Sequence, residues 1–282
     1  MPVTLHDMDN TPLEADFLGF SGGERHVQLG KMHGGDRIIR ADLRGSDDVF
    51  DLLLLANAVV EADRNARLHI EIPYLPYARQ DRVCAPGQAF SMKVLARLLG
   101  TMENVARLIV WDCHSPVGLE LTGAVNIPAQ DIIHSSDALT RMIVSLDSVL
   151  ICPDKGAVAR TEAVARAFQK DLQPEPIVFC EKVRDPATGQ ITHTEVKTDS
   201  LVGRTAIITD DICDGGYTFI KVAEQIRAKG AERVVLYVTH GIFSKGLGVF
   251  DSLIDAVFTT DSFVHDPHPL LSVIPFEYDF TA

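Results

Sequence analysis

The sequence predicts an α/β protein built from two tandem domains, each a mostly parallel β-sheet flanked by helices. Short runs of Val, Ile and Leu without polar alternation recur along the chain, as expected of strands that are buried on both faces. Between them lie stretches with apolar residues at the spacing of an amphipathic helix. The chain has 282 residues, which is enough for two such domains. We place them at residues 1–135 and 136–282, with the boundary near residues 133–137.

Six predicted strands end abruptly in polar or small residues. In chain order they are residues 68–72, 108–111, 149–152, 177–180, 205–209 and 234–238. The predicted helices are residues 46–62 with Ser46 as the N-cap, 91–99, 156–168 and 219–228, and Gly230 suits the end of the last one. Strand–helix alternation indicates a parallel sheet, and parallel sheets bind ligands beyond the carboxyl ends of their strands. The polar residues after these strands are therefore the candidate site residues.

The composition argues against several classes of protein. A net charge of −13 disfavours general nucleic-acid binding, although a local basic cluster can still bind a nucleotide. No apolar run approaches the roughly 20 residues of a membrane span, and residues 1–17 lack the order of a signal peptide. The five cysteines include no CxxC pair, which disfavours a disulfide framework or structural zinc. We therefore expect a cytoplasmic protein without a membrane or nucleic-acid partner.

The most informative segment is residues 207–218, which reads Ile-Ile-Thr-Asp-Asp-Ile-Cys-Asp-Gly-Gly-Tyr-Thr. An apolar run ends in Asp210 and Asp211, a loop of small residues follows, and a helix is predicted to begin at Thr218. Carboxylates can bond the hydroxyls of a ribose or hold a metal through water. Glycines let backbone N–H groups approach an anion, and a helix N-terminus favours negative charge. The segment predicts a sugar-phosphate site, with an ordinary strand–turn–helix junction as the alternative.

Six motifs occur in the order and rough spacing of a known family. They are Pro-Tyr-Leu-Pro-Tyr-Ala-Arg-Gln-Asp at 73–81, Asp-Cys-His at 112–114, Pro-Asp-Lys-Gly at 153–156, Lys-Val-Arg at 182–184, the acidic segment at 210–218, and Thr-His-Gly-Ile-Phe-Ser at 239–244. With these motifs the chain resembles the ribose-phosphate diphosphokinases, or phosphoribosyl pyrophosphate (PRPP) synthetases, from about residue 20 to residue 262. The resemblance implies two tandem type I phosphoribosyltransferase domains. It also implies diphosphate transfer from Mg-ATP to the anomeric hydroxyl of ribose 5-phosphate, with release of AMP.

The resemblance implies a role for each motif residue. The ATP-binding residues are Phe20, Glu24, Arg79, Gln80 and Asp81, with Arg79 on the phosphates. The metal-binding residues are His114 and Asp154, for Mg²⁺, and the diphosphate loop is Asp154, Lys155, Gly156 and Ala157. Lys182 and Arg184 are the catalytic basic pair, at the start of a hairpin that can fold over ATP. Asp210 and Asp211 bond the ribose hydroxyls, and the substituent on the ribose 5-carbon lies against Asp214, Gly215, Gly216, Tyr217 and Thr218. A homo-oligomer is also expected.

Two departures from the family concern the first domain and the termini. The family's Phe-Ser/Pro-Asn/Asp-Gly-Glu motif reads Phe20-Ser21-Gly22-Gly23-Glu24 here. The ring that stacks on adenine is kept, but the polar reader of the adenine edge has become Gly22. The family's first strand and helix, which precede this motif, are expected to be missing. The C-terminal helix is expected to be missing too, because residues 262–282 contain three prolines and show no helical period.

A third departure concerns the substrate. The loop Asp-Thr-x-Gly-Thr of the family reads Asp-Gly-Gly-Tyr-Thr at 214–218. Loss of a hydroxyl donor at Gly215 weakens the hold on a terminal phosphate by about 0.5–1.5 kcal/mol, while Tyr217 offers a stacking face. Some relatives of the family diphosphorylate ADP-ribose for NAD synthesis, so two acceptors stay open, ribose 5-phosphate and ADP-ribose. A phosphoribosyltransferase and a non-catalytic regulatory subunit are the alternatives from other classes.

Overall fold

The computed structural model describes residues 2–168, 177–184 and 191–280. The chain forms two compact units, Met1–Ile127 with Glu277–Ala282, and Pro128–Phe276. Each unit contains a mostly parallel sheet and helices that pack on it, which confirms the predicted α/β class. None of the helices in these ranges combines the length and the apolar character that a membrane crossing requires.

The first unit is built on a six-stranded sheet of order β2-β1-β5-β6-β7-β8. Its strands are β1 Val3–His6, β2 Pro12–Leu13, β5 Arg37–Ala41, β6 Leu68–Ile72, β7 Val105–Trp111 and β8 Val125–Ile127, and a separate hairpin is formed by β3 Ala15–Gly19 and β4 Arg25–Leu29. Strands β5 to β8 are parallel, while β1 is antiparallel to both of its neighbours. The helices are α1 Ser46–Ala62, α2 Ser91–Leu99 and α3 Pro116–Thr122.

The second unit is built on a seven-stranded sheet of order β11-β10-β9-β12-β13-β14-β15. Its strands are β9 Ser148–Cys152, β10 Ile177–Arg184, β11 Ile191–Val196, β12 Thr205–Cys213, β13 Arg233–Gly241, β14 Ala256–Thr260 and β15 Leu271–Ile274. Its helices are α4 Ala129–Ile133, α5 Asp137–Ile143, α6 Val158–Phe168 and α7 Tyr217–Ala228. The pair β10–β11 is antiparallel, and the other pairings in this sheet are parallel.

Strand β13 shows why the second sheet reads as unbroken apolar runs. Its Leu236 and Val238 pack into a cluster with Phe219 and Val222 of α7, on one face of the sheet. Its Tyr237 packs into a second cluster, which also holds residues of α4, α5 and α6, on the opposite face. Successive side chains of a strand point to opposite faces, so a strand between two helical layers needs apolar residues at every position.

All six predicted strands are present, and several bounds differ from the prediction. The most consequential difference is β12, which continues to Cys213, so Asp210 and Asp211 lie within the strand rather than in the loop after it. The strand is prolonged because β13 stays paired with it as far as Gly241. Helix α7 begins at Tyr217, just before the predicted start. The predicted helix 156–168 is a 3₁₀ turn at Lys155–Ala157 followed by α6.

The predicted cap of the first helix is wrong. Ser46 is the first residue of α1, and Gly45 occupies the N-cap position. The carboxylate of Asp48 reaches back and accepts hydrogen bonds from the backbone N–H of Arg44, at 2.7 Å, and of Gly45, at 2.8 Å. Asp48 thereby satisfies backbone donors at the helix start, and a side-chain cap on Ser46 is not needed.

The division into units differs from the predicted boundary at both ends of the second unit. Helix α4 precedes the predicted boundary, yet Ala129 and Ile133 belong to the core of the second unit. The C-terminal residues return to the first unit, where the backbone N–H of Tyr278 donates to Glu71 at 3.2 Å. Residues 2–19 and 262–280 contain no helix, while strands β1, β2 and β3 lie before Phe20, in the region where the family's first strand was expected to be missing.

Candidate functional site

The loop that follows β6 holds the predicted ATP-binding residues of the first unit. Leu75 and Ala78 are each 2% exposed and anchor the loop in the core. Tyr77 has a φ of 63°, and its carbonyl accepts the N–H of Gln80 at 2.8 Å, which closes a tight turn. Arg79 and Gln80 are exposed. The buried residues therefore fix the backbone of this loop, and the guanidinium of Arg79 and the amide of Gln80 are exposed on it.

A second loop, after the neighbouring strand β7, joins the first. Asp112 is buried with a φ of 37°, and its N–H donates to the carbonyl of Ile127 at 2.7 Å. His114 is exposed, and Ser115 caps α3. The Ser115 hydroxyl also donates to the Asp81 carboxylate at 2.8 Å. The structure thus brings the 73–81 and 112–114 motifs together, since parallel strands end at the same edge of a sheet.

The β3–β4 hairpin carries Phe20 and Glu24 at its turn. The N–H of Phe20 donates to the carbonyl of Glu24 at 2.9 Å, and the N–H of Gly23 donates back to Phe20 at 2.9 Å. Gly23 has a φ of 94°, which only glycine adopts readily. The Phe20 ring is 56% exposed. An exposed aromatic face on a short, tight hairpin can stack on a planar ligand.

In the second unit, the acidic pair lies inside β12 and contacts a residue that sequence analysis did not single out. The Arg160 guanidinium lies 3.3 Å from a carboxylate oxygen of Asp210 and 3.3 Å from one of Asp211. The three side chains are 12%, 15% and 7% exposed, in the order Arg160, Asp210 and Asp211. The available signal was the position of Arg160 in the first turn of the helix that follows the 153–156 motif.

The charge state of the pair follows from this arrangement. Burial raises the pKa of Asp210 well above its ordinary value, and the negative charge of Asp211 raises it further. The positive charge of Arg160 lowers the same pKa. Two adjacent desolvated carboxylates repel each other, and Arg160 offsets this repulsion and the burial only in part, since the pKa of Asp210 stays well above its ordinary value.

The loop after β9 contains the predicted diphosphate-binding residues. Asp154 is half-buried, and its carboxylate accepts the N–H of Gly156 at 2.9 Å, which caps the 3₁₀ turn. Lys155 and Gly156 are exposed, whereas Ala157 is buried. The turn continues directly into α6, so exposed backbone and a lysine lie at the start of a helix, where anions are favoured.

In the loop after β12, the space available for a side chain differs from one residue to the next. Gly216 has a φ of 79°, and a Cβ there would lie 2.8 Å from the Phe250 ring, so this position requires glycine. A Cβ on Gly215 would meet nothing closer than a Lys245 carbon at 3.6 Å, so a side chain fits there. Tyr217 opens α7 and is 71% exposed, with Lys221 Nζ 6.0 Å from its ring centroid. Asp214 is exposed and Thr218 is half-buried.

The 239–244 motif ends β13 beside the acidic strand. His240 is buried and its Nδ1 lies 2.9 Å from the Ser262 hydroxyl. Ser262 and Thr260 both donate to the carbonyl of Thr239, at 3.3 Å and 2.6 Å. Since His240 pairs with Ile212 across the ladder, this buried network holds the end of β12 in register.

The predicted catalytic pair falls in the least described part of the second unit. Lys182 and Arg184 lie on β10, which pairs with β11 in an antiparallel hairpin. Their side chains, and residues 185–190 between the two strands, lie outside the described residues. The hairpin itself agrees with the strand pattern that the sequence predicts.

The predicted metal-binding residues belong to different units, His114 to the first and Asp154 to the second. The described ranges contain no group of three or more His, Cys, Asp or Glu side chains arranged to hold a metal ion. A half-buried carboxylate beside an exposed turn fits Mg²⁺, which usually keeps several waters and binds through one or two carboxylates plus substrate phosphates.

All five cysteines lie within the described ranges, and none forms a disulfide. Cys152, Cys180 and Cys213 are buried, and burial raises the pKa of each thiol, to about 12 for Cys180 and Cys213. Thiols protonated at neutral pH are poor nucleophiles and poor metal ligands. The buried cysteines therefore act as small apolar residues, and Cys152 and Cys213 lie near Asp210.

Comparisons with known proteins agree along both units. Residues 7–102 match the N-terminal domain of ribose phosphate pyrophosphokinase, and residues 130–268 match the phosphoribosyl transferase domain. A ribose-phosphate pyrophosphokinase of Pyrococcus furiosus is 31% identical over 264 residues, covering 91% of this chain and 88% of the relative. One of Shewanella oneidensis is 32% identical over 260 residues, covering 89% and 79%. The crystal structure of phosphoribosylpyrophosphate synthetase from Mycobacterium smegmatis has the same fold, with a TM-score of 0.77 at 22% identity over 95% of this chain and 88% of that one.

Proposed function

This chain belongs to the ribose-phosphate pyrophosphokinase family, whose members are enzymes of the diphosphotransferase class, and we propose that it transfers the β,γ-diphosphate of Mg-ATP to the anomeric hydroxyl of a 5-substituted ribose. The observation that carries the proposal is the match along both units. A phosphoribosyltransferase would account for residues 130–268 alone, whereas residues 7–102 match a domain of pyrophosphokinases.

The proposed transfer involves no oxidation or reduction, and it needs no unusually strong base. The anomeric oxygen attacks the β-phosphorus of ATP, a new oxygen–phosphorus bond forms, and the bond between the β-phosphorus and the bridging oxygen to the α-phosphate breaks. AMP leaves with that oxygen, and the hydroxyl proton passes to solvent or to a nearby base. Phosphoryl-type transfer depends mainly on positioning and on neutralising charge, which is what the residues of both units can supply.

In the first unit, the exposed side chains on fixed loops suit ATP. Arg79 offers a guanidinium to the phosphates, and Gln80 and Asp81 follow it on the same turn. The exposed ring of Phe20 offers a stacking face for adenine, with Glu24 across its turn. With Gly22 in place of a polar reader, selectivity for adenine must come from stacking and from backbone groups.

In the second unit, the acidic pair suits two adjacent hydroxyls. Asp210 and Asp211 would accept hydrogen bonds from the 2- and 3-hydroxyls of ribose, and charged acceptors make the stronger hydrogen bonds. The loop 214–218 and the N-terminus of α7 would hold the substituent on the 5-carbon. The 154–157 turn would hold the diphosphate, and Asp154 would hold Mg²⁺ in this unit, as His114 would in the first unit. The ion, when bound, neutralises phosphate charge.

Lys182 and Arg184 are assigned as the catalytic pair by the resemblance alone. Substitution of Lys182 by Ala should lower kcat by about 10²–10³-fold, because it removes one charge that stabilises the transition state. Lys197→Ala is the matched control, since Lys197 follows the same hairpin and bonds Glu195 and Glu181 at its surface. Unchanged turnover in Lys182→Ala would contradict the assignment of Lys182 as a catalytic residue.

The acceptor is either ribose 5-phosphate or ADP-ribose, and three features of the 5-carbon loop support the larger one. Gly215 leaves space where the family carries a hydroxyl donor, Tyr217 is exposed, and Lys221 lies close to its ring. A stacking face next to a cation suits a second phosphate and a base. Ribose 5-phosphate is favoured instead by the backbone N–H groups that Gly215 and Gly216 still offer.

An acceptor panel separates the two. The protein is incubated with Mg-ATP and either ribose 5-phosphate or ADP-ribose, and AMP release and product mass are followed. Addition of diphosphate to ADP-ribose with ribose 5-phosphate inert would establish the larger acceptor, and Gly215→Thr should then shift preference toward ribose 5-phosphate. Turnover of ribose 5-phosphate alone would make Tyr217 incidental. The absence of AMP with both acceptors would contradict the diphosphotransferase proposal.

We also propose, from the composition, that the chain is cytoplasmic and, from the resemblance alone, that it assembles into a homo-oligomer. Sedimentation at several protein concentrations tests the assembly, and a monomer at all of them would contradict it.

A further inference from the structure

Arg160 occupies a position that connects two parts of the second unit's site. It lies in the first turn of α6, directly after the Lys155–Ala157 turn, and its side chain is 12% exposed. Its two terminal nitrogens contact different residues, Nη1 with Asp210 and Nη2 with Asp211, each at 3.3 Å. The planar guanidinium therefore spans both carboxylates at once, which a lysine ammonium cannot do in the same way.

The position of Arg160 is set by packing rather than by the ion pairs alone. Its neighbour Thr161 is fully buried and its hydroxyl lies 3.0 Å from that of Thr209, which is also fully buried. This contact joins α6 to β12 one residue before the acidic pair. The helix and the strand are therefore held at a fixed distance, and the guanidinium is preorganised against the carboxylates.

Other titratable groups surround the pair from each neighbouring element. They are Cys152 at the end of β9, Asp154 before the 3₁₀ turn, Cys213 at the end of β12, Asp214 in the following loop and buried His240 on β13. Burial raises the pKa of both thiols, so they carry no charge at neutral pH, and both aspartates add negative charge. Among the described groups that act on the Asp210 carboxyl, Arg160 is the cation.

We propose that Arg160 is the positioning residue of the acceptor site: its guanidinium bridges Asp210 and Asp211, favours their ionised forms and orients both to accept hydrogen bonds from two adjacent ribose hydroxyls. This role rests on the proposed function of the acidic pair. A protonated carboxyl is a weaker acceptor for a hydroxyl than a carboxylate is, and two carboxylates without a shared cation would turn apart. Arg160 would act on the acceptor through the two aspartates and without touching ATP.

The first test compares Arg160→Met and Arg160→Lys with Arg166→Met. Arg166 lies on the same helix, is 69% exposed and pairs with Glu162, so its loss controls for the removal of a charge from α6. Arg160→Met should raise KM for the acceptor by about tenfold or more at neutral pH, the effect of losing one charged hydrogen bond, and leave KM for ATP within about twofold. Its activity should recover in part as the pH is raised, because the carboxyls then ionise without the cation.

The second test does not depend on turnover. Protein labelled with ¹³C at aspartate carboxyls is titrated by NMR, and Arg160→Met should show a carboxyl that titrates at higher pH than in the wild type. Arg160→Lys should keep a titration close to the wild type and still raise KM for the acceptor, because it retains the charge and loses the bridge. An unchanged titration in Arg160→Met, or equal increases in both KM values, would overturn the proposal.

The outcomes also separate this inference from the proposed function. If the wild type releases no AMP with any acceptor, the proposed function fails, and the titration still decides whether Arg160 controls the charge of the pair. If Arg160→Met does not fold, Arg160→Lys decides alone, and a KM for the acceptor equal to that of the wild type overturns the role.

Discussion

Each unit contains a centre in which one arginine joins two carboxylates, and the two centres are built differently. In the first unit, Arg40 bonds buried Glu71 at 2.8 Å and also pairs with Glu277 from the C-terminal residues. In the second unit, Arg160 contacts two consecutive aspartates of one strand. The first centre gathers residues that are far apart in the chain, whereas the second concentrates negative charge at one strand end.

The donors around the two centres differ as well. Glu71 also accepts hydrogen bonds from Trp111 Nε1 at 3.0 Å and from the N–H of Tyr278 at 3.2 Å. Neutral donors from β7 and from the C-terminal residues thus stabilise the glutamate, which is 1% exposed. A buried carboxylate whose hydrogen-bond partners come from three segments of the chain links those segments in the folded protein. A pair of carboxylates beside a glycine loop and a helix N-terminus is suited instead to a ligand.

The largest expected effect is a loss of activity that substitutions in the second centre should cause and a substitution in the first centre should not. The double substitution Asp210→Asn, Asp211→Asn should lower kcat/KM for the acceptor by about 10²–10⁴-fold, because two hydrogen bonds to charged groups contribute about 1.5–3 kcal/mol each. Steady-state kinetics measured per folded protein checks this. Glu71→Gln is the control, and it should leave kcat/KM nearly unchanged. An equal loss in both proteins would remove the functional distinction between the centres.

The next effect concerns stability and should be largest in the first centre. Glu71→Ala should lower the free energy of unfolding by about 3 kcal/mol, because it strips the partner from Arg40 and leaves the buried Trp111 donor unsatisfied. Urea denaturation followed by Trp111 fluorescence is a direct measurement, since the chain has one tryptophan. Glu61→Ala, which removes an exposed pair with Arg64, should cost less than about 1 kcal/mol. Similar losses of unfolding free energy in both variants would show that Glu71 contributes no more to stability than an exposed glutamate does.

Four parallel strands, β5, β8, β14 and β15, were not predicted. The sequence was sufficient for the other six, and the reason is visible in β6 and β9, where every residue is buried. Such strands read as apolar runs with sharp ends. The antiparallel strand β1 and the β3–β4 hairpin were not predicted, because their residues are buried only in part. Short, half-exposed strands leave a weak pattern, and their pairing is decided by contacts with distant residues.

The candidate site was predictable to the extent that its residues form local motifs. Arg79, Asp154 and Asp210 stand in short segments whose composition indicates a ligand. Arg160 and the Tyr278–Glu71 contact were missed because each joins residues far apart in the chain, 50 positions for Arg160 with Asp210 and 207 for Tyr278 with Glu71. Local spacing carries no information about such pairs, and only the packing of α6 on β12 or the return of the C-terminal residues creates them.

A smaller loss of stability is expected from the C-terminal residues. A chain that ends at Phe276 loses the Tyr278 hydrogen bond, the Glu277 ion pair and the packing of Phe280, whose ring centroid lies 5.4 Å from that of His69. Together these losses should lower the free energy of unfolding by about 2 kcal/mol, measured by urea denaturation of each chain. A chain that ends at Phe280 keeps all three contacts and is the control. Equal stability of the two chains would show that residues 277–280 do not stabilise the first centre.

The smallest expected effect is a pH dependence that belongs to the first centre. Burial raises the pKa of Glu71 above its ordinary value of 4.5, while Arg40 and Trp111 oppose the rise. The folded protein therefore binds this proton more tightly than the unfolded chain does. The stability that the proton contributes is fully present below pH 4.5 and is lost as the pH rises through the folded-state pKa. Glu71→Gln cannot ionise, so the unfolding free energy of the wild type relative to this variant should fall with rising pH across that window. Urea midpoints at a series of pH values measure the difference. A difference that stays constant would mean that Arg40, Trp111 and Tyr278 offset the burial of the charge completely, and the first centre would then be as well compensated in its ionised form as in its neutral one.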